Sequence, residues 1–219
     1  MHRALFEKTG NAIYISHLDL MRVFQRAFKR AALPLTHTQG FSPRPSVSIA
    51  LPMSVGVESC CELLDFELDG EPVPGEEILA RLNNALVDGV RVLKVYDAGD
   101  KIRDIALLDC SVFLEYDKGI SVQEKAELEV LFTRPSVVVE KRGKNGIVQQ
   151  NIIPLIRTLQ IVSVDANTIR LDARICCQNP ALNPMQITAA IERYLPELKP
   201  DFARYCRNEI YRTDESIFR

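Results

Sequence analysis

The spacing of apolar positions changes several times along the 219-residue chain, and each change marks an element. Residues 2–7 and 12–15 read as strand, with a bend at Thr9-Gly10-Asn11. After Ser16, apolar residues recur at helical spacing: Leu20, Met21, Phe24, Ala27, Phe28 and Ala31. Ser16 with Asp19 three residues on is a capping-box-like start, and an acid there suits the positive end of the helix dipole. The helix should reach about Ala32, because Pro34 stops it. A loop punctuated by Pro and Gly fills 33–46. Val47–Leu51 is rich in strand formers, and Cys60–Leu68 alternates acidic and apolar residues. Pro74 opens an amphipathic helix with Glu76 and Glu77 in its first turn and Ile78, Leu79, Leu82 and Leu86 as its apolar side. Val90–Tyr96 closes this half as a strand.

The second half repeats the order. Ile105–Tyr116 reads as a strand, and Val122–Phe132 as a helix opened by Ser121 and Glu124. Val137–Glu140 and Ile147–Ile153 flank the Asn145-Gly146 hairpin signal. Strands follow at Thr158–Val164 and Thr168–Cys177, then a helix at Met185–Tyr194 and a strand at Cys206–Arg212. The expected fold is therefore α+β: two tandem ferredoxin-like (βαββαβ) units at 1–98 and 99–219, with a basic hairpin inserted in the second. One continuous α+β domain stays open as the alternative.

Composition narrows the class. Hydrophobic residues are 47% and charged residues 26%, which excludes disordered and fibrous classes. No segment approaches the roughly 20 apolar residues of a membrane helix. The first ten residues lack the apolar stretch of a secretory signal, so a cytoplasmic location and no membrane partner are expected. The six cysteines, Cys60, Cys61, Cys110, Cys176, Cys177 and Cys206, form no C-x-x-C, and only three histidines are present. No metal site and no cofactor are expected, and the thiols read as ordinary buried residues.

Charge changes the picture more. The formal net charge is −2, but residues 1–50 hold seven Lys/Arg against two Asp/Glu, and residues 51–100 hold three against eleven. The local field, not the sum, selects a partner. Arg22, Arg26, Lys29 and Arg30 share a sector of about 100° on the first helix, a spacing that suits successive phosphates. The following loop offers Gln39, Phe41 and Arg44: an aromatic that can stack on a base, beside an Arg fixed between two prolines. Lys141, Arg142 and Lys144 cluster at the predicted hairpin tip. Each group has a plain alternative: a solvated helix face, a loop with Phe41 buried against the sheet, a soluble edge. His17 and Asp19 are the acid–base candidates of the first half, but they fall on opposite sides of the helix wheel. His17 reads either as a general base or as a histidine packed at a helix end. The common hydrolase, nucleotide and zinc signatures are absent.

The segments Ile15-Ser-His-Leu-Asp-Leu-Met-Arg22, Gln39-Gly-Phe-Ser-Pro-Arg-Pro45, Leu51-Pro-Met-Ser-Val-Gly-Val-Glu58, Ile153-Pro-Leu-Ile-Arg157 and Arg207-Asn-Glu-Ile-Tyr-Arg212 together resemble the bacterial radical-SAM-linked protein family, a domain of unknown function. Where its members often carry Asn-Pro-His-Pro, this chain reads Ser42-Pro-Arg-Pro45. The resemblance implies a radical SAM protein as partner, one that itself holds the cluster. The expected function is an accessory RNA-binding or substrate-presenting module working with that enzyme, in RNA modification. The acidic 58–77 region would dock a basic partner. Two alternatives stand: a metal-independent RNA-processing enzyme using His17, and a protein–protein adaptor without RNA affinity.

Overall fold

The amphipathic segment after Ser16 folds as α1, His17–Arg30. Its buried residues, Leu20, Phe24, Ala27 and Phe28, are those of the helical repeat. The computed structural model describes residues 1–143 and 146–219, so Lys144 lies outside the described residues, as does the side chain of Arg142. Within them the fold is α+β, with four helices and antiparallel strand pairing. It divides into two compact units, 1–102 with Arg219, and 103–218.

In the first unit, β1 (His2–Lys8), β2 (Val47–Ile49), β3 (Val57–Phe66) and β4 (Val90–Asp97) surround α1 and α2 (Gly75–Ala85) in the chain. β1 pairs with both β3 and β4, and β2 pairs with β3, all antiparallel. The spatial order is thus fourth, first, third, second. Ala4, Phe6, Leu64, Phe66 and Val92 line one face, where α1 and α2 cover them with Phe24, Phe28, Ile78 and Leu82. The rings of Phe6 and Phe24 meet edge-on at 4.8 Å between centroids, and Phe28 lies 4.9 Å from Phe66. Residues 12–15 are not the strand their apolar character suggests. Gly10–Tyr14 is a 3-10 turn, anchored where the Thr9 amide donates to the distant Gly89 carbonyl at 2.8 Å. That tether comes from another part of the chain and overrides local propensity.

The second unit contains β5 (Ile105–Glu115), α3 (Val122–Thr133), β6 (Val138–Gly143), β7 (Gly146–Asn151), β8 (Ile156–Ser163), β9 (Thr168–Cys176), α4 (Met185–Tyr194) and β10 (Phe202–Arg212). β5 pairs with β10 and β9, and β9 with β8, again antiparallel. With the β6–β7 hairpin set aside as a separate two-stranded sheet, the order repeats that of the first unit. α3 starts on a full capping box. The Glu124 amide donates to Ser121 Oγ at 3.2 Å, and the Ser121 amide donates to Glu124 Oε2 at 2.7 Å. The bonds from Ser121 hold the Glu124 carboxyl below the usual range. Their contribution is present above the ordinary glutamate pKa and fades as pH falls through the lowered value. Leu128, Leu131, Ile187, Ala190 and Ile191 cover one sheet face built on Cys110, Val112, Leu114, Leu171 and Ala173. The last strand begins at Phe202, four residues before its predicted start.

Candidate nucleic-acid interface

Helix geometry sets the basic stripe. With one face of α1 committed to the core, Arg22, Arg26, Lys29 and Arg30 are left exposed. They are not equivalent. Asp19, whose amide is capped by Ser16 Oγ, also takes a 2.7 Å bond from Arg22. The Ser16 hydroxyl and then Arg22 hold its carboxyl below the usual range. Arg30 donates to the Ala85 carbonyl at the end of α2. Among the described residues, Arg26 and Lys29 have no side-chain partner, so they are the most available cations of the stripe.

The loop after α1 is a narrow finger. The Thr36 amide donates to Glu67 O (2.9 Å), Ser46 to Thr36 O (2.8 Å) and Thr38 to Arg44 O (2.8 Å). The Arg44 amide closes the tip on Thr38 Oγ1 at 3.1 Å. These rungs leave Gln39, Phe41 and Arg44 at an exposed tip. Phe41 is 109% exposed, so it is not packed against the sheet. Gly40 has φ +135°, which an L side chain rarely adopts, so the turn that presents Phe41 depends on glycine. Replacing Phe41 with Ala should leave the thermal midpoint unchanged, since the ring contacts no core. It should weaken single-stranded RNA binding by about 1–3 kcal/mol, the usual value of one stacked base. Fluorescence anisotropy on a short oligonucleotide reads this, and unchanged affinity removes Phe41 from the interface.

The hairpin differs from its predicted role. Lys141 sits on β6 opposite Val148 and turns back to donate to the Ala181 carbonyl at 2.7 Å. It is a latch for the ribbon rather than a free cation at the tip. The acids of 58–77 divide: Glu67, Asp69, Glu71, Glu76 and Glu77 are exposed, whereas Glu62 and Asp65 are withdrawn from any docking patch. Asp65 is buried against Arg3, with bonds of 2.6 and 2.9 Å, and Glu62 is 1% exposed. Cys60 is exposed while its neighbour Cys61, on the other face of β3, is buried, so not every thiol is buried. Among the described residues no His/Cys/Asp/Glu group has the makings of a metal site.

His17 and Asp19 do diverge. Asp19 stays in the exposed cap, and His17 lines a small cavity of about 10 Å³ with Lys8, Leu20, Ile49, Met53 and Glu62. Lys8 is buried and donates to the Ile13 carbonyl at 3.1 Å. Burial pushes the Lys8 ammonium down, and the nearby Glu62 offsets this in part. Sequence reasoning missed this constellation. Its signal was the departure from alternation at Lys8 and Glu62, charges at positions whose faces are otherwise apolar.

The second unit holds another missed group. Arg174 bonds Asp109 through two nitrogens (2.8 and 3.0 Å) and Glu215 through the third (2.8 Å). Its guanidinium carbon lies 4.0 Å from the Tyr211 ring centroid, and the Tyr211 hydroxyl donates to Asp109 at 2.8 Å. The period-two set Arg170, Asp172 and Arg174 in β9 was the available sequence signal.

Residues 2–184 match the family described as an uncharacterized protein conserved in bacteria, DUF2344. The chain belongs to this family. No curated protein matches this DUF2344 chain. Among solved structures it is similar to a chain in the crystal structure of a Cbf5-Nop10-Gar1 complex. The TM-score is 0.51 at 6% identity, over 95% of this chain and 48% of that one. The DUF2344 chain thus spans about half the length of that relative, and the likeness concerns fold alone. An unknown protein from Galdieria sulphuraria matches at TM-score 0.27 and 12% identity, over 94% of this chain and 96% of that one. A putative glycine cleavage system transcriptional repressor matches at TM-score 0.23 and 13% identity, over 94% and 98%. Neither of these two carries an argument.

Proposed function

We propose that this DUF2344 protein is an accessory RNA-binding or substrate-presenting module that works with a radical SAM enzyme in RNA modification. The observation that carries the reading is Phe41. A fully exposed aromatic on a rung-supported finger, with Arg44 beside it and Arg26 and Lys29 on the preceding helix, combines a stacking group with phosphate-directed cations. The radical SAM partner rests on the family resemblance carried by residues 15–58, 153–157 and 207–212. The structural relative belongs to a multi-protein complex, which accords with a chain that acts beside a partner. Two tandem ferredoxin-like units are the architecture proposed for it, supported by the fourth-first-third-second strand order in each half. The test is binding of single-stranded RNA between 50 and 200 mM salt. A steep fall in affinity with salt supports the reading. No RNA affinity, with a stable complex to the radical SAM protein, replaces it with the adaptor.

The buried Lys8 and Glu62 around the cavity of His17 favour one second reading, an RNA-processing enzyme that uses His17 as acid or base. On that reading His17→Ala abolishes cleavage of bound RNA while circular dichroism and affinity stay unchanged. Absence of cleavage by the wild-type protein excludes it.

A further inference from the structure

We propose that the face of the second unit's sheet away from α3 and α4 holds a nucleobase site. Register places three rows of side chains there. Val162, Arg170, Phe113 and Arg204 form the first row across β8, β9, β5 and β10. Gln160, Asp172, Ser111 and Cys206 form the second, and Thr158, Arg174 and Asp109 the third. A groove of about 290 Å³ opens over the second and third rows, lined by Asp109, Thr158, Gln160, Asp172, Arg174 and Asn208.

The chemistry of Arg174 identifies the ligand class. Three of its five N–H donors, one on each nitrogen, are bonded to carboxylates, so its charge and both its edges are already engaged. What remains is its planar face. Tyr211 covers one side at 4.0 Å, and Arg174 also lines the groove. A guanidinium plane fixed on both edges and backed by an aromatic ring is a rigid stacking platform, and the matching ligand is a flat, electron-rich ring. Groups for its edges stand nearby. Gln160 is exposed, offers both a donor and an acceptor, and has no side-chain partner among the described residues; Thr158 is the same with its hydroxyl. Asn208 spends its amide on Ser111 at 2.8 Å and keeps a carbonyl oxygen. The acids do not repel such a ligand, because Asp109 is neutralised by Arg174, and Asp172 by Arg170 at 2.9 Å and the Ser111 hydroxyl at 2.6 Å. A base is favoured over a phosphate because this surface is close to charge-balanced and its cations are already paired.

The base can belong to a free nucleotide or to an RNA strand. Only the second source rests on the RNA reading above. The experiment is calorimetric titration of the full chain with each of the four nucleoside monophosphates and with a ten-nucleotide mixed single-stranded RNA. It is run on the wild type, on Gln160→Ala, on Thr158→Trp, which fills the groove from an exposed strand position, and on Phe41→Ala. The expected result is binding that falls about fivefold in Gln160→Ala, the value of one hydrogen bond, and is lost in Thr158→Trp. Binding of monophosphates identifies a free nucleotide site, and binding of the oligonucleotide alone identifies a strand. Oligonucleotide affinity lost in Phe41→Ala but unchanged in both groove variants overturns this inference and leaves the RNA reading intact. Affinity lost in the groove variants but unchanged in Phe41→Ala upholds this inference and overturns the finger. No binding of any probe by the wild type overturns both.

Discussion

Asp65→Ala should destabilise the first unit by about 3–5 kcal/mol, as much as truncating a fully buried aromatic. Arg3 is 1% exposed, its guanidinium takes Asp65 in two bonds of 2.6 and 2.9 Å, and it adds a 3.0 Å bond to the Asp100 carbonyl. Burial works to lower the Arg3 pKa, but the bond to Asp65 and its charge outweigh it, and the net shift is upward. Removing the carboxylate leaves that cation buried without its main counter-charge. The pair is costly to break rather than stabilising in itself, so the double replacement Arg3→Met with Asp65→Leu should recover much of the loss. Urea denaturation followed by circular dichroism reads both. A loss below about 1 kcal/mol for Asp65→Ala would mean that water reaches Arg3 readily and that the pair is ornamental.

Reversing three charges at once, Arg22, Arg26 and Lys29 to Glu, should lower RNA affinity about a hundredfold at 50 mM salt. It should also flatten the slope of log K against log salt by about 2, from three contacts at roughly 0.7 each on a single strand. The three side chains are exposed, and none contributes to the core, so the thermal midpoint should fall only slightly, through loss of the Arg22–Asp19 bond. Anisotropy titrations at four salt concentrations separate the outcomes. Lower affinity with the same slope would place the loss elsewhere, and no change would mean that α1 is a solvated face.

The periodic helices were legible because their signals are local. Phe24 and Phe28 lie four residues apart, and Ser121 reaches Glu124 within one turn. The stripe followed from the same periodicity, since fixing one helix face fixes the other. What sequence could not show are groups joined by distant parts of the chain. Arg174 meets Asp109 across 65 residues, and Tyr211 meets Asp109 across 102. Lys141 finds a carbonyl 40 residues away, which a local reading of basic residues at a hairpin tip has no means to anticipate. The acids of β3 misled for a related reason. Asp65 and Glu62 look like surface charge until strand pairing turns them inward. Residues 12–15 failed because the turn is held from distant parts of the chain, by Gly89 at Thr9 and by Gly56 at Ile13.

The rungs beneath Phe41 also set what it costs the finger to grasp a ligand. If the whole of 34–46 were loose, binding would have to immobilise thirteen residues at about 1 kcal/mol or more of backbone entropy each. The bonds at Thr36, Thr38 and Ser46 have already fixed most of that stretch during folding. At most the five residues 39–43 remain to be ordered, so at least about 8 kcal/mol of the penalty is met before any partner arrives. A tip held on such a stalk can therefore bind usefully through one ring and one cation, where a slack loop of the same sequence could not.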